Sequence, residues 1–110
     1  MITASFTSNK ELLEATLTVK GHARQADMGQ DIVCSAASIL ACTLAQVVHE
    51  NERRLKRKPI IDLERGDAVI SCKCDDDRTF ARILRAFEFA QTGYRLLQYN
   101  FPQYVELKPF

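Results

Sequence analysis

The sequence contains no tryptophan and has little of the two residues that most often interrupt regular structure. Among its 110 residues there are only four glycines and three prolines, which excludes a collagen-like or Pro/Gly-rich disordered chain. An excess of one charge is also absent, because 15 basic residues face 14 acidic ones and the formal net charge is +1. The chain therefore has no global field for nucleic acid or an anionic membrane, and such binding would require a local patch.

The N-terminal residues show no basic region followed by an apolar stretch, so we expect no secretory signal and a cytoplasmic location. Thiols stay reduced in that compartment, and we expect all four cysteines to be free. Cys72 and Cys74 are two residues apart, which is poor geometry for bonding each other on a strand, and no second ligand pair at zinc spacing accompanies them. We therefore expect no metal and no cofactor, and we predict that Cys42, Cys72 and Cys74 pack in the core.

One stretch, residues 32–48, is nearly apolar and approaches the shortest length that spans a membrane. It contains Ser and Thr and is rich in Ala rather than Leu, so we interpret it as a buried helix of a soluble protein. Since this helix is apolar almost all round, we expect a second layer or a partner subunit on the side that one sheet leaves open. A basic run, residues 53–58, follows it, and we interpret that run as a solvated helix end.

Hydrophobic periodicity predicts two hairpins, two helices and a last short strand. The predicted elements are strands at 2–7 and 13–20, a helix capped by Asp31, strands at 60–64 and 68–74, a helix capped within 75–77 and stopped by Pro102, and a strand at 104–108. The order is β-β-α-β-β-α-β. Because the hairpins are segregated from the helices, we predict an α+β class with a small two-layer or sandwich fold. Residues 1–110 would form a single domain with a mainly antiparallel sheet.

The segment between the second strand and the first helix combines residues of catalytic interest. His22 lies where the strand enters a loop, residues 21–30, and Cys34 is predicted to lie in the first turn of the helix capped by Asp31. The free N–H groups of a first turn stabilise a thiolate and can bind an oxyanion. An imidazole can take the thiol proton and later protonate a leaving amine. These are the parts of a thiol acyl-transfer site.

Each of these residues also has a simpler interpretation. A lone cysteine on an apolar helix is usually a core residue, and His22 is also explained as an exposed loop residue. Asp31 either orients His22 as the third member of a triad or only caps the helix, and its position favours the cap. Ser38, one turn after Cys34, either lines the site or bonds back to the helix backbone.

A family resemblance bears on this choice. The residues Gly21-His22-Ala23, Gly29 and Asp31 to Ser38 closely resemble the signature of the bacterial ribosomal-processing cysteine proteases, the Prp family, and the resemblance covers essentially the whole chain. It implies a cysteine endopeptidase with Cys34 as nucleophile and His22 as general base and acid. It also implies a substrate, the N-terminal extension of a large-subunit ribosomal protein cut after an aromatic residue, and a homodimer. The loop would roof a peptide groove, with Gly21 and Gly29 as hinges.

Two other hypotheses compete with the protease. A non-catalytic ribosome-associated binding module would use the 53–58 run and the dimer surface, with ribosomal RNA or an acidic partner against the run, whereas the protease hypothesis requires no nucleic acid. A redox-sensing thiol protein would use Cys34 without His22. Neither hypothesis explains why a histidine and a cysteine flank one glycine-bounded loop.

Overall fold

The structure is a computed structural model that describes residues 1–21, 28–64 and 66–108. Five strands and two long helices follow the predicted β-β-α-β-β-α-β order, which confirms the α+β class. Their bounds are β1 Ile2–Asn9, β2 Glu14–Lys20, α1 Met28–Glu50, β3 Ile60–Glu64, β4 Asp67–Lys73, α2 Asp77–Asn100 and β5 Val105–Lys108. A short 3-10 turn, Glu52–Arg54, lies between α1 and β3.

The five strands form one sheet in the order β3-β4-β2-β1-β5. Only the pair of β1 with β5 is parallel, so the sheet is mainly antiparallel, as predicted. Phe6 pairs with Leu17, and Leu17 pairs with Ile70 on the next strand. All three side chains are buried, because alternation along each strand directs them to the same face. This row forms the sheet side of the core.

Both helices pack against that face of the sheet. Tyr94 of α2 is fully buried, and its ring lies edge-on to Phe6 with the ring centroids 6.0 Å apart. The Tyr94 hydroxyl donates a hydrogen bond to the carbonyl oxygen of Ala37 at 2.7 Å. One side chain therefore connects α2 to both β1 and α1. The result is a layer of two helices on a five-stranded sheet, within the two-layer prediction.

One face of α1 contributes to the core, through Val33, Ala37, Ala41, Leu44 and Val48. The stretch Ile32–Glu50 is long and apolar enough to cross a membrane, yet a third of it is buried inside the fold. Packing against α2 and the sheet is the arrangement of a core helix in a folded domain, as the sequence predicted. The outward face of α1 remains open in the single chain, where Ile39 is 63% exposed.

The start of α1 differs from the prediction. The helix begins at Met28, so Asp31 is its fourth residue and not its N-cap, and Gly29 is its second residue and not a loop hinge. Isolated glycine costs a helix only about 1 kcal/mol, which is too little to stop the helix from extending four residues further. Residues 28–30, predicted as the end of the loop, therefore belong to α1.

This longer helix changes the position of Cys34. Cys34 is the seventh residue of α1 rather than a residue of the first turn. In the α-helical pattern its N–H faces the carbonyl of Gln30. The expected oxyanion donor at Cys34 is therefore wrong, because only the first four N–H groups of a helix lack an internal partner.

The prediction of a cap within residues 75–77 is confirmed at the start of α2. The Asp76 carboxylate accepts a hydrogen bond from the Thr79 N–H at 2.8 Å. That bond holds the pKa of Asp76 below its usual value. The helix runs on past Gly93 to Asn100 and ends before Pro102, also as predicted.

The basic run over residues 53–58 is not the end of α1, which stops at Glu50; its first two residues, Arg53 and Arg54, lie in the last turn of the short 3-10 helix. Leu55 within the run is buried and forms an isolated bridge with Cys74, and the Lys56 N–H donates to the Lys73 carbonyl at 2.9 Å. An apolar anchor thus holds the run against the end of β4.

Candidate active site

A cavity of about 330 Å³ lies between α1 and the turn that joins β3 to β4. Three parts of the chain surround it: one face of α1, the first and last residues of the β1–β2 hairpin, and the tip of the β3–β4 hairpin. The lining residues are Ile2, Val19, Gly21, Cys34, Ala37, Ser38, Ala41, Cys42, Leu63, Glu64, Gly66, Asp67 and Ala68. The predicted nucleophile therefore faces a cavity of small-ligand size.

Cys34 and Ser38 lie one helical turn apart on the face of α1 that borders this cavity. Cys34 is half-buried, next to the fully buried Val33. Within the described part of the chain the Ser38 hydroxyl makes no hydrogen bond, whereas that of Thr43 donates to the Ile39 carbonyl at 2.6 Å. The Ser38 hydroxyl is thus available to a molecule in the cavity.

Cys42 is exposed and lines the same cavity, so its assignment to the core was wrong. Eight residues, or just over two turns, separate it from Cys34, which places both thiols on one face of α1. The core face is instead occupied by Ala41 and Ala45. The apolar character of the helix on all sides concealed this difference, because sequence periodicity could not show which face the sheet covers.

Cys72 and Cys74 are free and buried, as predicted. Burial raises the pKa of Cys72 to about 12, with a smaller contribution from the neighbouring Cys74 thiol. A thiol that stays protonated in an apolar environment is a poor nucleophile. The chemistry of the cysteines is therefore confined to the two that line the cavity.

Gly21 fixes the end of β2 at the edge of the cavity. Its N–H donates to the Gly66 carbonyl at 3.0 Å, which ties β2 to the turn between β3 and β4. Its φ of +94° lies in the region that favours glycine, and a Cβ at this position would overlap the Met1 carbonyl oxygen. Both constraints explain why this position requires glycine.

His22 follows Gly21 directly in the sequence, but it lies outside the described residues. The side chain of Asp31 is likewise outside what the structure describes. The predicted contact between His22 and Cys34, and the role of Asp31 as an orienting group, therefore remain predictions. Of the predicted site residues, Gly21, Cys34 and Ser38 line one cavity.

Sequence reasoning missed the part of the cavity that comes from the sheet. Ile2, Val19 and Ala68 supply an apolar wall, and Glu64 and Asp67 pair directly across the β3–β4 hairpin at its rim. No local signal indicated them, because only the placement of β4 beside β2 brings that hairpin to α1.

The described residues contain no cluster of three or more His, Cys, Asp or Glu able to hold a metal ion.

Comparison with known proteins identifies relatives of this chain. A family model described as cysteine protease Prp matches residues 1–106. The crystal structure of SMU.848 from Streptococcus mutans is similar, with a TM-score of 0.71 and 26% identity over 98% of this chain and 92% of that one. No match was found among curated protein sequences.

Two further crystal structures share the fold at lower identity. The essential ribosomal processing protease Prp from S. aureus in complex with a substrate peptide gives a TM-score of 0.71 at 17% identity, with 98% of both chains covered. The same protease in complex with a covalently linked product peptide gives 0.68 at 19% identity, again over 98% of both chains. At these identities the likeness shows the common fold.

Proposed function

Because this chain belongs to the cysteine protease Prp family, we propose that it is an endopeptidase that processes a ribosomal protein. It removes a short N-terminal extension from a protein of the large subunit, cutting after an aromatic residue. The observation that carries the proposal is the half-buried Cys34 thiol facing a cavity of about 330 Å³. The S. aureus protease of the same fold has been crystallised with a substrate peptide and with a covalently linked product peptide.

In the proposed reaction His22 takes the Cys34 proton, and the sulfur attacks the carbonyl carbon of the scissile bond. Collapse of the tetrahedral intermediate forms a thioester, and His22 returns the proton to the leaving amine. Water then hydrolyses the thioester and regenerates the thiol. Because the Cys34 N–H belongs to the helical pattern, the oxyanion needs another donor, and we assign the Ser38 hydroxyl to it.

The cavity wall supports a preference for an aromatic side chain. Ile2, Val19, Leu63 and Ala68 present aliphatic carbon at the sheet side of the cavity, and aromatic rings gain most from such burial. Residues 22–27 connect this wall to α1 and carry His22. Since Asp31 does not cap the helix, orientation of His22 is the role that we propose for its carboxylate.

A cleavage assay with matched variants tests the nucleophile. Wild type, Cys34→Ala, His22→Ala and Cys42→Ala are incubated with a peptide that spans an aromatic cleavage site, and products are identified by mass spectrometry. We expect cleavage by wild type and by Cys42→Ala, and at least a 10³-fold loss in Cys34→Ala and His22→Ala. Cys42→Ala is the matched control, because it removes a thiol from the same cavity.

The outcomes separate the competing functions. No cleavage by wild type would eliminate the protease and favour a binding module. Cleavage that persists in Cys34→Ala but is lost in Cys42→Ala would keep the enzyme and transfer the nucleophile to Cys42. Oxidation of Cys34 without turnover would indicate a redox sensor.

We further propose that the protein works in the cytoplasm as a homodimer.

A further inference from the structure

A second cavity, of about 570 Å³, lies between the 3-10 turn after α1 and the first turns of α2. Four arginines dominate its lining, two from each of these segments. The lining residues are Arg53, Arg54, Asp75, Asp76, Arg78, Thr79 and Arg82. We call this cavity the arginine groove. The fold thus brings together two pairs of arginines that lie more than 20 positions apart in the sequence.

The arginines of the groove differ from the others nearby. Arg57, in the same basic run, forms an ion pair with Glu14 at 3.4 Å, and Arg85, in the same helix, forms one with Glu88 at 3.7 Å. Within the described part of the chain, none of the four groove arginines has a carboxylate within ion-pair distance. The fold therefore gathers four arginines outside ion pairs at one place in a nearly neutral chain.

The two acidic residues in the groove offset only part of this charge. Asp76 is ionised as the N-cap of α2, where it accepts the Thr79 N–H, and it attracts Arg78. The positive end of the α2 dipole adds to the field of the guanidinium groups. Four arginines against two aspartates leave a local formal charge of +2 in a chain whose total is +1.

The chemistry of the lining distinguishes between classes of partner. The groove contains no apolar or aromatic side chain, whereas protein interfaces depend on such anchors at their centre and are depleted of charge there. Guanidinium groups instead match phosphate oxygens, which they bind in a bidentate manner. A polynucleotide backbone therefore fits the groove better than an acidic protein surface.

We propose that the arginine groove is a docking site for the phosphate backbone of RNA. The choice of RNA over DNA rests on the proposed function, because a ribosomal protein substrate is presented beside RNA. α1 separates the groove from the Cys34 thiol: 16 residues lie from Cys34 to Glu50, or about 24 Å of helix. A peptide and an RNA can therefore be bound simultaneously at opposite ends of the helix layer.

The test measures binding of a fluorescein-labelled single-stranded RNA oligonucleotide to the full chain by fluorescence anisotropy, between about 50 and 200 mM salt. Each arginine–phosphate contact adds about 0.7 to the magnitude of the salt slope for a single strand. We expect Arg53→Gln/Arg54→Gln and Arg78→Gln/Arg82→Gln each to weaken binding and to reduce that slope by about 1.4.

The chain provides a charge-matched control. The double variant Arg57→Gln/Arg85→Gln also removes two positive charges, but from arginines already paired with carboxylates. We expect it to bind RNA nearly as wild type does. An equal loss in this control would overturn the proposal, because the binding would then follow net charge rather than the groove.

Two other results would also overturn it: no RNA binding by wild type at the lowest salt, or displacement of RNA by poly-glutamate at equal charge. Failure of this proposal is distinguishable from failure of the proposed protease, since binding is measured without cleavage. The groove variants should cleave the short peptide at the wild-type rate, and Cys34→Ala should bind RNA as wild type does.

Discussion

Cys34 and Cys42 line a cavity open to a substrate, whereas Cys72 and Cys74 are 3% and 1% exposed. All four residues have the same intrinsic chemistry, so burial alone separates them. The Cys72 thiol, with its pKa raised to about 12, stays protonated across the physiological range. The reactivity of each cysteine thus depends on where the fold places it. The sequence motif identified only one of the two cysteines that line the cavity.

Tyr94 illustrates how a single residue joins the parts of the fold. Its hydroxyl reaches the Ala37 carbonyl at 2.7 Å, and its ring packs on Phe6. Burial also raises the pKa of this phenol, so it remains a hydrogen-bond donor at high pH. The bond links α2 to the helix that carries Cys34.

Tyr94→Phe should destabilise the protein by about 1–2 kcal/mol, because it removes a buried hydrogen bond and keeps the ring. A fall in Tm of several degrees, measured by thermal unfolding followed by circular dichroism, is expected. Tyr99→Phe is the control, since Tyr99 is 83% exposed, and it should leave Tm unchanged. Equal Tm values for wild type and Tyr94→Phe would contradict the inferred role of the bond.

At the scale of elements, the two helices start in different ways. α2 begins immediately after Asp76, whose side chain satisfies the Thr79 N–H. α1 begins at Met28, before the aspartate that the sequence favoured as its cap. An aspartate ahead of an apolar run therefore marked one helix start correctly and misplaced the other by four residues. Propensity is a weak guide at helix ends because the energies of adjacent starts differ little.

Asp76→Ala should lower Tm at neutral pH because the first turn of α2 loses its cap. The pKa of Asp76 is lowered in the folded protein, so its stabilisation is present above the ordinary value of 3.8 and is lost as pH falls through the lower folded value. The Tm difference between wild type and Asp76→Ala should consequently shrink in acid. Thermal unfolding over a pH series measures this.

Asp75→Ala is the matched control for the cap. It removes the same charge from the adjacent position, but within the described residues the Asp75 carboxylate accepts no hydrogen bond. Its effect on Tm at neutral pH should be clearly smaller than that of Asp76→Ala. If both variants lower Tm equally, the effect comes from charge near the helix dipole and not from the capping bond.

At the scale of the whole molecule, the helix layer has an apolar outer surface. Ile39 of α1 is 63% exposed, and Phe89 and Leu96 of α2 are 73% and 61% exposed. A cavity of about 330 Å³, lined entirely by α1 and α2 and including Ile39 and Phe89, lies on this surface. An exposed apolar patch of this kind is typical of an interaction site, and it supports the proposed homodimer.

Phe89→Glu should convert the proposed dimer into a monomer, because a charge replaces an apolar side chain at the centre of the patch. Size-exclusion chromatography with light scattering gives the mass of each species. Ile60→Glu is the control: Ile60 is 55% exposed, but it lies on the edge strand β3. A monomeric wild type, or dissociation by Ile60→Glu alone, would exclude the helix layer as the interface.

The Cys34 cavity and the arginine groove lie at different places along the helix layer. The first is beside Cys34, and the second is between the 3-10 turn and α2. The 53–58 run illustrates how the fold divides a continuous stretch of charge. Arg53 and Arg54 line the arginine groove, whereas Arg57 pairs with Glu14 on the sheet. A basic run in sequence is therefore not one surface, and the arginine groove depends equally on Arg78 and Arg82.

Local pattern was sufficient for the order of the elements, the α+β class, the cap at Asp76 and the burial of Cys72 and Cys74. The period of hydrophobic residues and the end signals of α2 lie within a few neighbouring positions, so they are readable without the fold. The motif around Cys34 likewise singled out a thiol that lines the cavity, since its spacing is a property of the sequence alone.

Tertiary structure decided which face of α1 is covered, and therefore that Cys42 is exposed at the cavity while Ala41 beside it is buried. The strand order β3-β4-β2-β1-β5 brings the β3–β4 turn to α1 and completes the cavity wall. The packing of the 3-10 turn against the start of α2 assembles the arginine groove. Each of these features depends on contacts between residues far apart in the chain, and such contacts leave no periodic signal in the sequence.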